Sequence, residues 1–103
     1  MIRERGPEMH IKVRYLGLVR RKIGAREEEF EMGKDSLLSD LLDEVAKTHG
    51  QNLKGMLNAE RGNIIDPTYI VTVNGILADR LDGIKTKLKN GDEVALMTLI
   101  SGG

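Results

Sequence analysis

The sequence contains no cysteine and no tryptophan, and only three of its 103 residues are aromatic: Tyr15, Phe30 and Tyr69. Without cysteine it has no disulfide, no thiolate nucleophile and no cysteine-based metal site, which is compatible with a reducing cytoplasm. Because aromatic rings are so scarce, we expect a core built from leucine, isoleucine, valine and methionine.

The sequence also lacks net charge and long apolar runs. Sixteen basic residues balance sixteen acidic ones, so no overall field is expected to recruit nucleic acid or an anionic membrane. No apolar stretch approaches the roughly 18 residues of a membrane span, and the charged first residues do not resemble a signal peptide. We therefore expect a cytoplasmic protein that binds neither nucleic acid nor membranes.

Length and composition favour one globular domain. The 103 residues are 40% hydrophobic and 31% charged, which is typical of a folded protein. Residues 1–8 are charged, contain Gly6-Pro7 and lack periodicity, so they are predicted to form a flexible N-terminal extension. Residues 9–103 are predicted to form the domain.

The first two elements are predicted to be a β-hairpin. Apolar and polar residues alternate in 9–15 and again in 27–32, the period of two expected for half-buried strands. A turn is predicted around residues 22–24. Antiparallel pairing would bring two cations near two carboxylates, Lys12, Arg14, Glu29 and Glu31, a contact that stabilises a sheet modestly.

One principal helix is predicted next, with Asp35 or Ser36 as its N-terminal cap. Its apolar residues fall on one face at helical spacing and are Leu37, Leu38, Leu41, Leu42 and Val45. Gly50 is expected to end the helix. Leu53, Met56 and Leu57 suggest one or two further helical turns, and residues 59–68 are interpreted as a loop.

The remaining residues are predicted to complete a sheet. Residues 69–73 form a β-rich run that ends at the tight-turn signal Asn74-Gly75. A short return strand is predicted at 76–78 and a final strand at 93–100. The order β-β-α-loop-β-β-β describes an α+β chain.

The final predicted strand is apolar on both faces, although one helix can cover only one face of a sheet. One interpretation is a partner-binding patch on the second face. Its members would be Ala95, Met97 and Leu99, with Leu77 beside them. The alternative is that residues 51–68 fold over this face.

No catalytic constellation is found in the sequence. His10 and His49 are isolated and are interpreted as surface histidines, and Ser101 has no nearby base. Neither a phosphate-binding loop nor a cluster of metal ligands occurs. The chain is therefore predicted not to be an enzyme, which leaves its Gly102-Gly103 end as the feature to explain.

Three motifs in order resemble the MoaD/ThiS family of ubiquitin-like sulfur carriers. They are the turn "VNG" at 73–75, the segment "LDGIKTKLKNGDEV" at 81–94 and the end "SGG" at 101–103. The resemblance covers residues 9–103 and is closer to the MoaD branch, especially its archaeal members. It implies a β-grasp fold, a mixed sheet of four or five strands with one principal helix packed on one face.

The resemblance also implies where the chemistry occurs. An E1-like adenylyltransferase of the MoeB/ThiF type would use ATP and Mg²⁺ to activate the carboxylate of Gly103, and a sulfur donor would convert it to a thiocarboxylate. Ser101 and Gly102 would form the tail that enters the enzyme, and glycine suits this because it has no side chain to obstruct a narrow channel. The chain itself would bind no cofactor.

The resemblance leaves several functions open. The first is a MoaD-like carrier for molybdopterin or tungstopterin synthesis, with the molybdopterin synthase large subunit as a further partner. The second is a protein modifier joined to target lysines through Gly103. The third is a non-covalent β-grasp interaction module. The final sulfur acceptor, whether molybdopterin, thiazole or tRNA, is not indicated.

Overall fold

The computed structural model describes residues 9–49, 57–58 and 64–98. The predicted extension, Gly50, Leu53, Met56 and the residues after Thr98 lie outside these ranges. The described elements follow in chain order: β1 (Met9–Tyr15), α1 (Gly17–Ile23), β2 (Glu27–Met32), α2 (Leu38–His49), β3 (Leu57–Asn58), β4 (Ile64–Ile65), β5 (Tyr69–Val73), β6 (Ile76–Leu77) and β7 (Glu93–Thr98). Short 3-10 turns occupy Ala78–Arg80 and Gly83–Lys85.

The main sheet has five strands in the order β2-β1-β7-β5-β6. β7 lies in the middle, parallel to β1 and antiparallel to β5. The other pairs are antiparallel hairpins, β1 with β2 and β5 with β6. This mixed sheet with α2 packed on one face is the α+β, β-grasp architecture, so the predicted fold is confirmed.

The core is aliphatic, as the shortage of aromatic residues predicts, and lies between α2 and the sheet. The inward stripe of α2, namely Leu38, Leu41, Leu42 and Val45, is fully buried. It packs on alternate residues of the central strands: Ile11, Val13, Tyr15, Val71, Val73, Val94 and Leu96. Burial of this apolar surface is the main stabilising contribution to the fold.

The start of α2 differs from the prediction. The Ser36 hydroxyl donates to the carbonyl of Gly33 (2.7 Å), and Asp35 has a left-handed backbone with φ of 67°. The cap contact comes from inside the helix, where the Asp40 carboxylate accepts a hydrogen bond from the Leu37 N–H (2.8 Å). Asp40 thus plays the part of the acidic residue in a capping box.

Helix α1 was not predicted, since only a turn was expected between β1 and β2. Its inward residues are Val19, which is buried, and Ile23, which packs against the core. Gly24 ends the helix with φ of 83°, and its N–H donates to the carbonyl of Arg20 (2.8 Å). The predicted turn is therefore correct only at its last residue.

Residues 57–68 also differ from the prediction. Leu57 lies in β3 rather than in a helical turn, and Ile64–Ile65 form β4 within the stretch interpreted as a loop. β3 and β4 pair as a separate two-stranded ribbon. The predictions for residues 69–73 and for the Asn74-Gly75 turn are confirmed, with φ of 53° and 85° at the two turn residues.

Candidate functional site

The face of the main sheet opposite α2 carries the predicted patch. Strand register places one row of directly paired residues across this face: Glu27, Arg14, Ala95, Thr72 and Leu77. Met97 pairs with Ile70 in the next row, towards the end of β7. Charged residues therefore occupy β2, β1 and the first residue of β7, Glu93, and mainly apolar residues occupy the rest of the β7-β5-β6 side.

We call the apolar side the open-face patch and define it as Ile70, Thr72, Leu77, Ala95 and Met97. Leu77 is 45% exposed, and the other four are half-buried. Of the predicted members, Leu77, Ala95 and Met97 share this face, while Leu99 lies outside the described residues. Thr72 stands between Leu77 and Ala95, and the sequence prediction missed both Thr72 and Ile70.

The alternative prediction, that residues 51–68 cover this face, concerns segments described only in part. In the part described, Ile65 packs against the core and β4 contacts the 3-10 turn at 83–85, which in turn contacts α2. This places β4 on the helix side of the sheet. A groove of about 250 Å³ between Ile65, Pro67, Ile70 and Leu77 borders one end of the open-face patch.

On the charged side of the face, basic side chains pair with carboxylates. Arg14 donates to Glu93 at 3.1 Å and lies 4.0 Å from Glu27. Lys12 lies 3.8 Å from Glu27. The cations thus pair with Glu27 and Glu93 rather than with the predicted Glu29 and Glu31, although Lys12 is directly opposite Glu29 in register. Such exposed pairs contribute little stability. Their main effect is that the area beside the apolar patch is polar but carries little net charge.

β7 is the last described strand before the predicted reactive end. Thr98, the final described residue of β7, lies opposite Tyr69 at one end of the sheet. Ser101, Gly102 and Gly103 lie outside the described residues. The open-face patch therefore ends where the chain continues towards the glycines.

His49 was wrongly interpreted as a surface residue. Its ring is only 13% exposed, and its Nε2 donates to Glu28 Oε1 at 2.6 Å. The Tyr15 hydroxyl donates to the same oxygen, also at 2.6 Å. The two rings meet edge to face with centroids 5.6 Å apart. His10, by contrast, is an exposed residue that pairs with Glu29 at 2.8 Å.

The pKa shifts in this cluster show a neutral phenol beside a carboxylate. Burial raises the pKa of Tyr15, and the hydrogen bond to Glu28 and its negative charge raise it further. Burial alone would raise the pKa of Glu28, but the hydrogen bonds from Tyr15 and His49, together with the attraction of His49, lower it. The three side chains link β1, β2 and α2. Because Tyr15 is only 1% exposed, its hydroxyl is not accessible as a nucleophile.

Within residues 9–49, 57–58 and 64–98, no three His, Asp or Glu side chains come together as they would to hold a metal ion. No helix in these ranges is long and apolar enough to cross a membrane.

The model of the ThiS family matches residues 13–103, which include the last three residues of β1, the other four strands of the main sheet, α2 and the Gly102-Gly103 end. The chain belongs to the ThiS family. Proteins of the ThiS/MoaD family are small carrier proteins that are generally non-catalytic. The predicted family is therefore confirmed.

Solved structures show the same fold as this ThiS-family protein. The HVO 2177 protein of Haloferax volcanii is 21% identical, with a TM-score of 0.81 over 100% of this chain and 93% of its own. SAMP1 of the same organism is also 21% identical, with a TM-score of 0.75 over 91% and 99%. A putative molybdopterin converting factor subunit 1 of Pyrococcus furiosus is 25% identical, with a TM-score of 0.72 over 90% and 100%. A sequence comparison with curated proteins finds no match.

Proposed function

We propose that this ThiS-family protein is a sulfur carrier whose reactive group is the carboxylate of Gly103. The observation that carries the proposal is the extent of the family match, which runs from the sheet core through Gly103. The sheet agrees with it, because β7, the central strand, is the last described element and its final residue, Thr98, is five positions before Gly103.

The proposed activation has two steps. An E1-like adenylating enzyme would transfer AMP from ATP to the Gly103 carboxylate and release pyrophosphate, with Mg²⁺ held by the enzyme. A sulfur nucleophile would then attack the acyl carbon and displace AMP, which leaves a thiocarboxylate. A free carboxylate resists attack because it is already negatively charged, and the adenylate removes this obstacle. The absence of cysteine in the chain fits a mechanism in which the partner supplies the reactive groups.

The open-face patch is the surface we assign to recognition of that enzyme. It is apolar and partly exposed, it includes Met97 next to the last described residue of β7, and such surfaces mark protein interaction sites. Neighbouring residues of β6 provide a matched test, since Leu77 and Ile76 are 45% and 47% exposed but oppose Thr72 and Val73 on opposite faces. Leu77→Asp should raise the KM for activation, whereas Ile76→Asp should leave it near the wild-type value.

The decisive experiment is intact-protein mass spectrometry with the E1-like enzyme of the same organism, ATP, Mg²⁺ and a sulfur donor. A sulfur carrier will gain the mass difference between one sulfur and one oxygen atom. Gly103→Ala and a variant that lacks Gly102 and Gly103 should release far less pyrophosphate. Activation of these variants at the wild-type rate would contradict the proposal.

The similarity to SAMP1 favours a protein modifier as the second candidate function. A lysine amine would then attack the activated Gly103 carbonyl and form an isopeptide bond. Tryptic peptides that carry the C-terminal residues on a lysine side chain would identify this outcome, whereas the mass gain alone identifies the carrier. A MoaD-like role in pterin cofactor synthesis requires in addition that the thiocarboxylated chain convert a pterin precursor together with a synthase large subunit. A non-covalent module would give neither product.

A further inference from the structure

The solvent side of α1 carries an uninterrupted run of positive charge. Arg20, Arg21 and Lys22 are exposed in its last turn, and Arg26 is exposed just after Gly24. We call these four residues the α1 cationic cluster. None of them forms an ion pair with a carboxylate in the described part of the chain, unlike the Lys12 and Arg14 of the open face.

The cluster has the chemistry of an anion site. Its three arginines line a surface cavity of about 310 Å³, whose remaining walls are Gly24 and Ala25. Guanidinium groups bind carboxylates through two parallel hydrogen bonds and remain charged at all relevant pH values. The negative end of α1 stabilises cations in its last turn, but Arg26 lies outside the helix, so the helix alone does not explain the cluster.

The cluster lies on a helix that packs against β7, the last described strand before Gly103. α1 follows β1 directly and packs against β7, and the Leu16 N–H donates to the Leu96 carbonyl at 2.9 Å. Only four residues lie between Thr98 and Gly103, so Gly103 can be at most about 18 Å from Thr98. An enzyme that acts on Gly103 must therefore approach this end of the domain and come close to α1.

Resting on the proposed function, we infer that the α1 cationic cluster docks an acidic surface segment of the enzyme that activates Gly103. The cluster covers the last turn of α1 and Arg26 just after it, an area suited to a few aspartate or glutamate side chains. A nucleic acid fits less well, because the basic residues of the neighbouring β1 are already paired with Glu27 and Glu29 of β2, so they offer a longer polyanion no further free cations, and the chain has no net charge. Complementary charges of this kind speed association and fix orientation.

The test is the salt dependence of pyrophosphate exchange by the E1-like enzyme of the same organism, with this protein as substrate. The variant is Arg20→Glu with Arg21→Glu. Its matched control is Lys87→Glu with Lys89→Glu, an equal charge change at exposed residues near the opposite end of β7. We expect the cluster variant to raise KM about tenfold at low salt with kcat almost unchanged, and the control to remain within about twofold of wild type.

Salt should raise the wild-type KM and have little effect on the cluster variant, because counterions compete only where the ion pairs exist. Circular dichroism checks folding. The variant Arg20→Gln with Arg21→Gln removes the charges without reversing them and should give an intermediate KM.

An unchanged KM in the cluster variants, or an equal rise in the lysine control, overturns the inference. The proposed function stays intact in that case, provided that the wild type is activated. If the cluster variant loses the ability of wild type to bind a short oligouridine while its KM for activation is unchanged, the inference is overturned in favour of a nucleic acid. If wild type is not activated at all, the proposed function fails and the docking site fails with it.

Discussion

The hydrogen bond from Tyr15 to Glu28 should contribute measurably to stability, and Tyr15→Phe tests it. The substitution removes only the hydroxyl, which donates to Glu28 Oε1 at 2.6 Å from a residue that is 1% exposed. A hydrogen bond to a charged group contributes about 1.5–3 kcal/mol. Because Glu28 is 31% exposed and water can replace part of the bond, we expect a loss of about 1–2 kcal/mol, measured by urea denaturation at neutral pH.

The dependence on pH gives this prediction a second test. The pKa of Glu28 is lowered in the folded state, so its stabilising effect is present above the unfolded pKa of about 4.5 and disappears as pH falls through the lower folded value. The difference between Tyr15→Phe and wild type should therefore shrink in acid.

Tyr69→Phe is the matched control, since the Tyr69 hydroxyl makes no hydrogen bond within the described residues; its cost should stay within about 0.5 kcal/mol. The remaining comparison is the loss of stability that Tyr15→Phe causes in a protein that already carries Glu28→Gln. An equal loss from Tyr15→Phe in that background would refute the assignment, because the bond to a carboxylate would then not be the cause.

Three further predictions concern alkaline pH, core burial and turn strain. Since the pKa of Tyr15 is raised on folding, stability should fall as pH rises above about 10. Urea midpoints in Tyr15→Phe should fall less steeply, with a remainder from Tyr69, whose pKa is also raised by burial and by the charge of Asp66, and an unchanged slope would contradict the assignment. Leu96→Asp places a charge in the fully buried core and should abolish cooperative thermal unfolding, whereas Met97→Asp on the half-buried face should keep it; equal damage would show that Met97 belongs to the core. Gly75→Ala should cost about 1 kcal/mol because φ is +85°, while Gly33→Ala, with no such strain, should change the urea midpoint little; similar midpoints would be inconsistent with a strained turn.

The parts of the fold that the sequence predicts well have strong local signals. Residues 69–73 are β-rich and end at Asn74-Gly75, and the observed strand has the same bounds. α2 has a complete apolar stripe. α1, in contrast, has only Val19 and Ile23 as inward residues, which is too few to establish a helical period.

The candidate site needed the sheet register as well. Ala95 and Met97 were predicted from the apolar second face of β7, but Ile70 and Thr72 lie in a run without clear alternation, so only pairing with β7 shows which face they share. The role of His49 was missed for a related reason. Its partners, Tyr15 and Glu28, lie 34 and 21 positions before it on two neighbouring strands, and no spacing in the sequence links all three.

The parallel contact between β1 and β7 has a consequence for how the molecule is made. Arg14 and Glu93 lie 79 positions apart, yet they belong to adjacent strands at the centre of the sheet. During synthesis β1, β2 and α2 emerge first and must wait, with their shared apolar surface uncovered, until residues 93–98 have cleared the ribosome. Folding of the domain should thus be completed only after residues 93–98 have emerged, because the central strand of the sheet is also the last of the five to be synthesised.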